Sequence, residues 1–143
     1  MAVSQAQKTA IIDRFTDPRW RLNNLYYITD ENGNVMALDR ELQEIWRINV
    51  GEQVAASVAV SADNHELYVV TARDVFKLWD KGDHAEHAWK AQLDVFPNHV
   101  NVNALTPTIT ANGIAVSIGA SRELGGNSLL MEAGFGLLDR DSG

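Results

Sequence analysis

Short apolar runs separated by turn residues dominate the chain after its first twenty residues. Residues 25–29 and 67–71 are rich in aromatic and β-branched side chains, and Asn-Gly pairs occur at Asn32–Gly33 and Asn112–Gly113. Such runs, bounded by residues that accept positive φ, predict antiparallel strands joined by tight hairpins. The pattern therefore predicts an all-β domain over residues 23–143.

The first 22 residues have a different pattern and form a separate lead segment. Ala6, Ala10, Ile11 and Phe15 are spaced as one face of a helix. Pro18 disfavours the helical conformation of the residue before it, so the helix should end there. A short N-terminal helix over residues 4–15 is predicted.

The apolar runs recur in a fixed order. Residues 25–29 match 67–71 and, more faintly, 114–118, while residues 56–64 match 105–113. Runs that end in aspartate follow at 35–39, 75–80 and 134–139, and Trp46 and Trp89 come after the first two. Four strands per period of roughly 42 to 47 residues is typical of a β-propeller blade.

Two parts of these repeats resemble the PQQ-like β-propeller repeat, which is also called quinoprotein-type and is distantly related to the WD40 repeat. They are Met36-Ala37-Leu38-Asp39 with Trp46, and the run from Leu137 to Gly143. The resemblance implies a partial β-propeller of about two and a half four-stranded antiparallel blades. Trp46 and Trp89 should fill a recurring slot between blades. Residues 40–43 lack the usual glycine of the turn, and residues 120–133 form an insertion predicted to be a loop.

An incomplete arc of blades should leave two apolar faces uncovered. Three arrangements would cover them: further blades of a longer protein, association of identical chains, or collapse into a less regular β-sandwich. We expect the first, so residues 23–143 are predicted to be an incomplete propeller domain. Protein partners or self-association through the open blade faces follow from this prediction.

A second, shorter resemblance lies at the start of the chain. Residues 17–30 resemble a segment near the beginning of bacteriophage terminase large subunits, which implies a phage or prophage source. The sequence has no Gly-x-x-x-x-Gly-Lys-Ser/Thr loop to hold nucleotide phosphates, so packaging activity is not expected.

Composition removes several classes of function. The chain has 143 residues, a formal charge of −7 and no cysteine. An acidic chain is unsuited to nucleic-acid phosphates or anionic membranes, and a chain without cysteine forms no disulfides or thiolate metal sites. It also has no signal-peptide-like or membrane-spanning apolar run, so we predict a soluble protein whose compartment is undetermined.

Candidate chemistry is sparse. His84 and His87 could share a zinc site on a helix, but the segment is predicted to be a polar connection. The run 139–143 resembles the opening of a calcium loop; however, Asp39, Asp80 and Asp139 occupy equivalent turns and should accept turn N–H groups. Two other patterns lack the sequence context that their chemistry needs. Ser57, Ser61 and Ser117 do not lie in the Gly-x-Ser-x-Gly pattern of a nucleophilic serine, and residues 125–127 lack the flanking strand and helix of a phosphate-binding loop.

We therefore predict no catalytic residues, no metal site and no cofactor, and interpret the chain as a non-catalytic binding or scaffold surface. One alternative is a fragment of a quinoprotein dehydrogenase, in which several blades hold pyrroloquinoline quinone and calcium. Another is a phage structural or packaging-associated protein.

Overall fold

The structure, a computed structural model, describes residues 26–62, 65–93, 101–126 and 128–143. These residues form strands and turns with no helix, and so contain no helix that could cross a membrane. The strands are β1 Tyr26–Thr29, β2 Asn34–Leu38, β3 Glu44–Asn49, β4 Ala59–Val60, β5 Glu66–Val70, β6 Asp74–Asp80, β7 Ala85–Gln92, β8 Asn101–Ala104, β9 Thr108–Ile109, β10 Gly113–Gly125 and β11 Ser128–Asp139. The predicted helix at 4–15 and the lead segment 1–22 lie outside the described residues.

The strands form three antiparallel sheets that follow one another along the chain. The first has the order β1-β2-β3, the second β4-β5-β6-β7, and the third β11-β10-β8, with β9 also paired to β10. The second sheet is thus a complete four-stranded unit, as predicted. In the third sheet, β11 lies at the edge of the described strands.

The first hairpin shows why Asn-Gly joins two strands here. One carboxylate oxygen of Asp30 accepts hydrogen bonds from the backbone N–H groups of Asn32 (2.9 Å) and Asn34 (3.0 Å). Gly33 has φ +82°, and a Cβ atom at that position would overlap the carbonyl oxygen of Glu52. Only glycine satisfies both the turn and this close approach.

The prediction of a loop at residues 120–133 is wrong. Strands β10 and β11 continue through this segment, with Gly119 opposite Ala133 and Gly125 opposite Ser128. Gly125 and Gly126 have positive φ angles of 93° and 57°, which allow the tight reversal at the end of the hairpin. The backbone hydrogen bonds are therefore satisfied within a β-ribbon that extends the third sheet.

Two apolar clusters hold the three sheets together. The first contains Val35, Ala37, Trp46, Val50, Leu67, Val69, Phe76 and Leu78, from the first sheet and its following turn and from the second sheet. The second contains Ala59, Tyr68, Val70, Val75, Ile114, Val116 and Ile118, from the second and third sheets. Alternate residues of β5 enter different clusters, which explains why this strand is apolar almost throughout and buried at every position.

Candidate protein-interaction surface

Strand register makes the three sheets directly comparable. Tyr27 lies opposite Ala37 in the first sheet, Tyr68 opposite Lys77 in the second, and Ala115 opposite Leu137 in the third. Trp46 then lies opposite Ala37, and Trp89 opposite Lys77. The sequence repeat paired Tyr68 with Tyr26, and the register corrects this by one residue, to Tyr27.

The first junction between sheets is built on Asp80. Its buried carboxylate accepts hydrogen bonds from the Tyr27 hydroxyl (2.5 Å), the Trp46 indole N–H (3.1 Å) and the backbone N–H of Gly82 (2.7 Å). The Tyr27 and Trp46 rings pack at a centroid distance of 6.0 Å. Burial raises the pKa of Tyr27 well above its usual value, and the hydrogen bond to Asp80 and the negative charge of Asp80 raise it further.

The second junction repeats the tryptophan contact with a different acceptor. The Trp89 indole N–H donates to the backbone carbonyl of Arg140 (3.2 Å), and the Tyr68 and Trp89 rings again lie 6.0 Å apart. A Cβ atom at Gly143 would lie 3.1 Å from the Trp89 ring, so the turn after β11 lies directly on the indole. Both tryptophans therefore occupy the predicted slot between neighbouring sheets.

A buried ion network strengthens this second junction. The Lys77 ammonium lies 3.0 Å from one Glu66 carboxylate oxygen, and the Arg140 Nε donates to the other (2.7 Å). Lys77 also donates to the Arg140 carbonyl (2.7 Å), and the Tyr68 hydroxyl donates to Glu66 (3.1 Å). Burial favours a higher pKa for Glu66, but the hydrogen bonds from Arg140 and Lys77 outweigh it and lower the pKa.

Sequence reasoning missed this network and assigned no role to Lys77. The available signal was its position between Phe76 and Leu78, two apolar residues of a predicted strand. A lysine there needs both a carboxylate and a carbonyl partner, because its charge is removed from water.

The three repeat-equivalent aspartates act as predicted, as acceptors for turn N–H groups. Asp39 accepts from the backbone of Glu41 (2.9 Å) and Gln43 (2.8 Å). Asp139 accepts from Asp141 (2.9 Å) and Ser142 (2.8 Å), and these bonds lower the pKa of Asp139. Since Asp80 accepts from Gly82, all three carboxylates have a structural role.

The two candidate zinc ligands do not converge. The His84 ring lies between Asp83 (2.6 Å) and Glu86 (3.0 Å), whereas the His87 ring packs against Phe76 at 6.1 Å. Hydrogen bonds to Asp83 and Glu86 raise the pKa of His84. In the part of the chain that the structure describes, no group of three or more potential ligands could hold a metal ion.

The most unusual surface is on the third sheet. We call Ala115, Ser117, Phe135 and Leu137 the open face of the third sheet; Leu137 lies opposite Ala115, and Phe135 opposite Ser117. Phe135 and Leu137 are 73% and 64% exposed. By register, Phe135 corresponds to Val35 in the first sheet and Val75 in the second. Leu137 corresponds to Ala37 and Lys77, and all four of these equivalent residues are buried.

An open cleft of about 550 Å³ adjoins this face, and Ser117 and Phe135 belong to both. Its lining residues are Ala104, Leu105, Ser117, Ile118, Gly119, Ala133, Gly134 and Phe135. Small side chains form much of the lining, and the two largest exposed side chains are Leu105 and Phe135. None of these described lining residues is charged, which suits an apolar protein segment. It does not suit pyrroloquinoline quinone, a polycarboxylate that needs cationic partners.

Comparison with known proteins supports the architecture. No family model matches the chain, and no curated protein matches its sequence. The crystal structure of BamB from Moraxella catarrhalis is similar to it, with a TM-score of 0.50 and 11% sequence identity. The match covers 80% of this chain and 42% of that one, so the chain spans less than half of BamB. Together with the successive antiparallel sheets, this likeness shows that the described chain is a partial β-propeller.

Proposed function

We propose that this chain is a non-catalytic β-propeller segment that binds protein through the open face of its third sheet. The observation that carries the proposal is the exposure of Phe135 and Leu137, at positions that are buried in the other two sheets. Large apolar side chains grouped on an exposed sheet face are typical of protein-interaction sites.

The contacts of six polar side chains support a structural role for those residues. Asp39, Asp80 and Asp139 accept turn hydrogen bonds, while Glu66, Lys77 and Arg140 join two sheets. These groups stabilise the arc of blades that presents the open face. Catalysis needs a group positioned to reach a substrate, whereas these six side chains are engaged in holding sheets and turns.

The proposal is tested by placing a photoreactive phenylalanine analogue at position 135 of the full chain, in the cells that produce it. The matched control places it at Leu124, an exposed apolar residue near the end of the β10–β11 ribbon. We expect protein adducts from position 135 that disappear when Leu137→Asp is added, and no such adducts from position 124. Equal labelling at both positions, or none at 135, would contradict the proposal.

A further inference from the structure

The first sheet has an exposed apolar face of its own. Tyr26 and Ile28 are 48% and 43% exposed, and we call these two residues the open face of the first sheet. Register relates Tyr26 to Leu67 and Ile114, and relates Ile28 to Val69 and Val116; these four residues are fully buried. Among the described residues, the first sheet thus has no neighbouring sheet on the side where the second and third sheets each have one.

The two open faces are the two sides of a contact that already occurs twice within the chain. At the first junction, Val35 of one sheet shares a cluster with Val69 of the next. At the second, Val75 shares a cluster with Val116. Continuing the series brings Phe135 of the third sheet against the residue equivalent to Val69 and Val116, which is Ile28 of another first sheet.

We propose that the open face of the third sheet binds the open face of the first sheet in a second copy of this chain. The inference rests on the proposed function and names the partner. Each copy provides one face of each kind, so the contact is head-to-tail, and such contacts form rings when the rotation closes. The described residues of two copies supply six sheets, which lies within the roughly four to eight blades of closed propellers. A head-to-tail pair is therefore a size at which a propeller ring closes.

The charge of the chain does not oppose this contact directly. Its net charge is −7, but Phe135, Leu137, Tyr26 and Ile28 are all uncharged. Charges elsewhere on the surface interact through water and are screened by salt over about 10 Å. Burial of the apolar side chains is the favourable term at the interface.

Sedimentation analysis of the full chain, with matched variants, tests the proposal. We expect the unmodified chain to sediment with twice its 15.8 kDa mass. Phe135→Lys and Ile28→Glu should each give the 15.8 kDa monomer, because every head-to-tail contact uses both positions. An equal mixture of the two variants should restore the dimer, because one interface is unchanged and the other pairs Lys with Glu. Leu124→Lys is the control and should remain dimeric.

A second measurement distinguishes loss of the contact between copies from unfolding of a variant. Because the chain has no cysteine, a variant with both Ile28→Cys and Phe135→Cys has only those two thiols. Mild oxidation should link residue 28 of one copy to residue 135 of the other, which peptide mass spectrometry identifies. A link between two copies of residue 135 would instead indicate edge-to-edge pairing of β11 and would overturn the proposal.

Other outcomes also decide the matter. A monomeric unmodified chain, a dimer that persists in both single variants, or a mixture that stays monomeric would each overturn the proposal. If the chain is monomeric but position 135 still forms adducts with a different protein, the proposed function stands and the second copy is excluded as partner. If position 135 forms no protein adducts, both are excluded.

Discussion

Replacing Asp80 by alanine should destabilise the contact between the first two sheets. The carboxylate accepts from the Tyr27 hydroxyl, the Trp46 indole and the Gly82 backbone, and only 2% of Asp80 is exposed. Its removal leaves buried donors without their acceptor, at about 1–3 kcal/mol for each unsatisfied group. We expect Asp80→Ala to lower the free energy of unfolding by about 3–5 kcal/mol.

Urea unfolding followed by circular dichroism measures this loss. Asp39→Ala is the matched control, because Asp39 occupies the equivalent turn and its two backbone hydrogen bonds are exposed. It should cost much less than Asp80→Ala, and Asp80→Asn should fall between the two because the amide keeps one acceptor oxygen. Equal losses for the two alanine variants would refute the idea that Asp80 joins the sheets.

Three further outcomes are expected. Glu66→Gln should reduce the loss of thermal stability that occurs in acid. The pKa of Glu66 is lowered in the folded protein, so its contribution to stability is complete above the usual pKa of 4.5 and is lost as pH falls through the folded-state pKa. Gly33→Ala should cost more in urea unfolding than Gly51→Ala, because both residues have φ near +80° but only Gly33 faces a backbone oxygen, that of Glu52. The pKa of Tyr27 is raised, so stability should fall as pH rises above the usual tyrosine pKa of 10.0. Tyr27→Phe should reduce that decline in alkaline melting curves and leave the part contributed by Tyr68, whose pKa is also raised.

Much of the architecture was predictable from the sequence because its signals are local. The Asn32–Gly33 pair specifies a hairpin through the φ angles that these residues accept. The recurrence of aspartate after an apolar run predicted three equivalent turns, and each carboxylate accepts backbone N–H groups within five residues. Trp46 and Trp89 were assigned to equivalent slots because their spacing follows the repeat.

The candidate surface was only partly predictable. That an arc of blades leaves apolar faces uncovered follows from counting strands, but Phe135 and Leu137 are identified only by register. The insertion at residues 120–133 was predicted to be a loop because no local signal tells a ribbon from a loop of the same length. Pairing of β10 with β11 decides that question, and it depends on two segments separated in sequence.

The order of apolar and turn residues by itself determined that the chain forms consecutive antiparallel strands, since alternation and turn propensity act over a few residues. Tertiary structure alone decided that Lys77 is buried beside Glu66 and that Arg140 reaches the same carboxylate. It also decided that Phe135 is exposed whereas Val35 and Val75 are buried. Burial depends on which sheet lies next to a residue, and that neighbour is provided by parts of the chain far away in sequence.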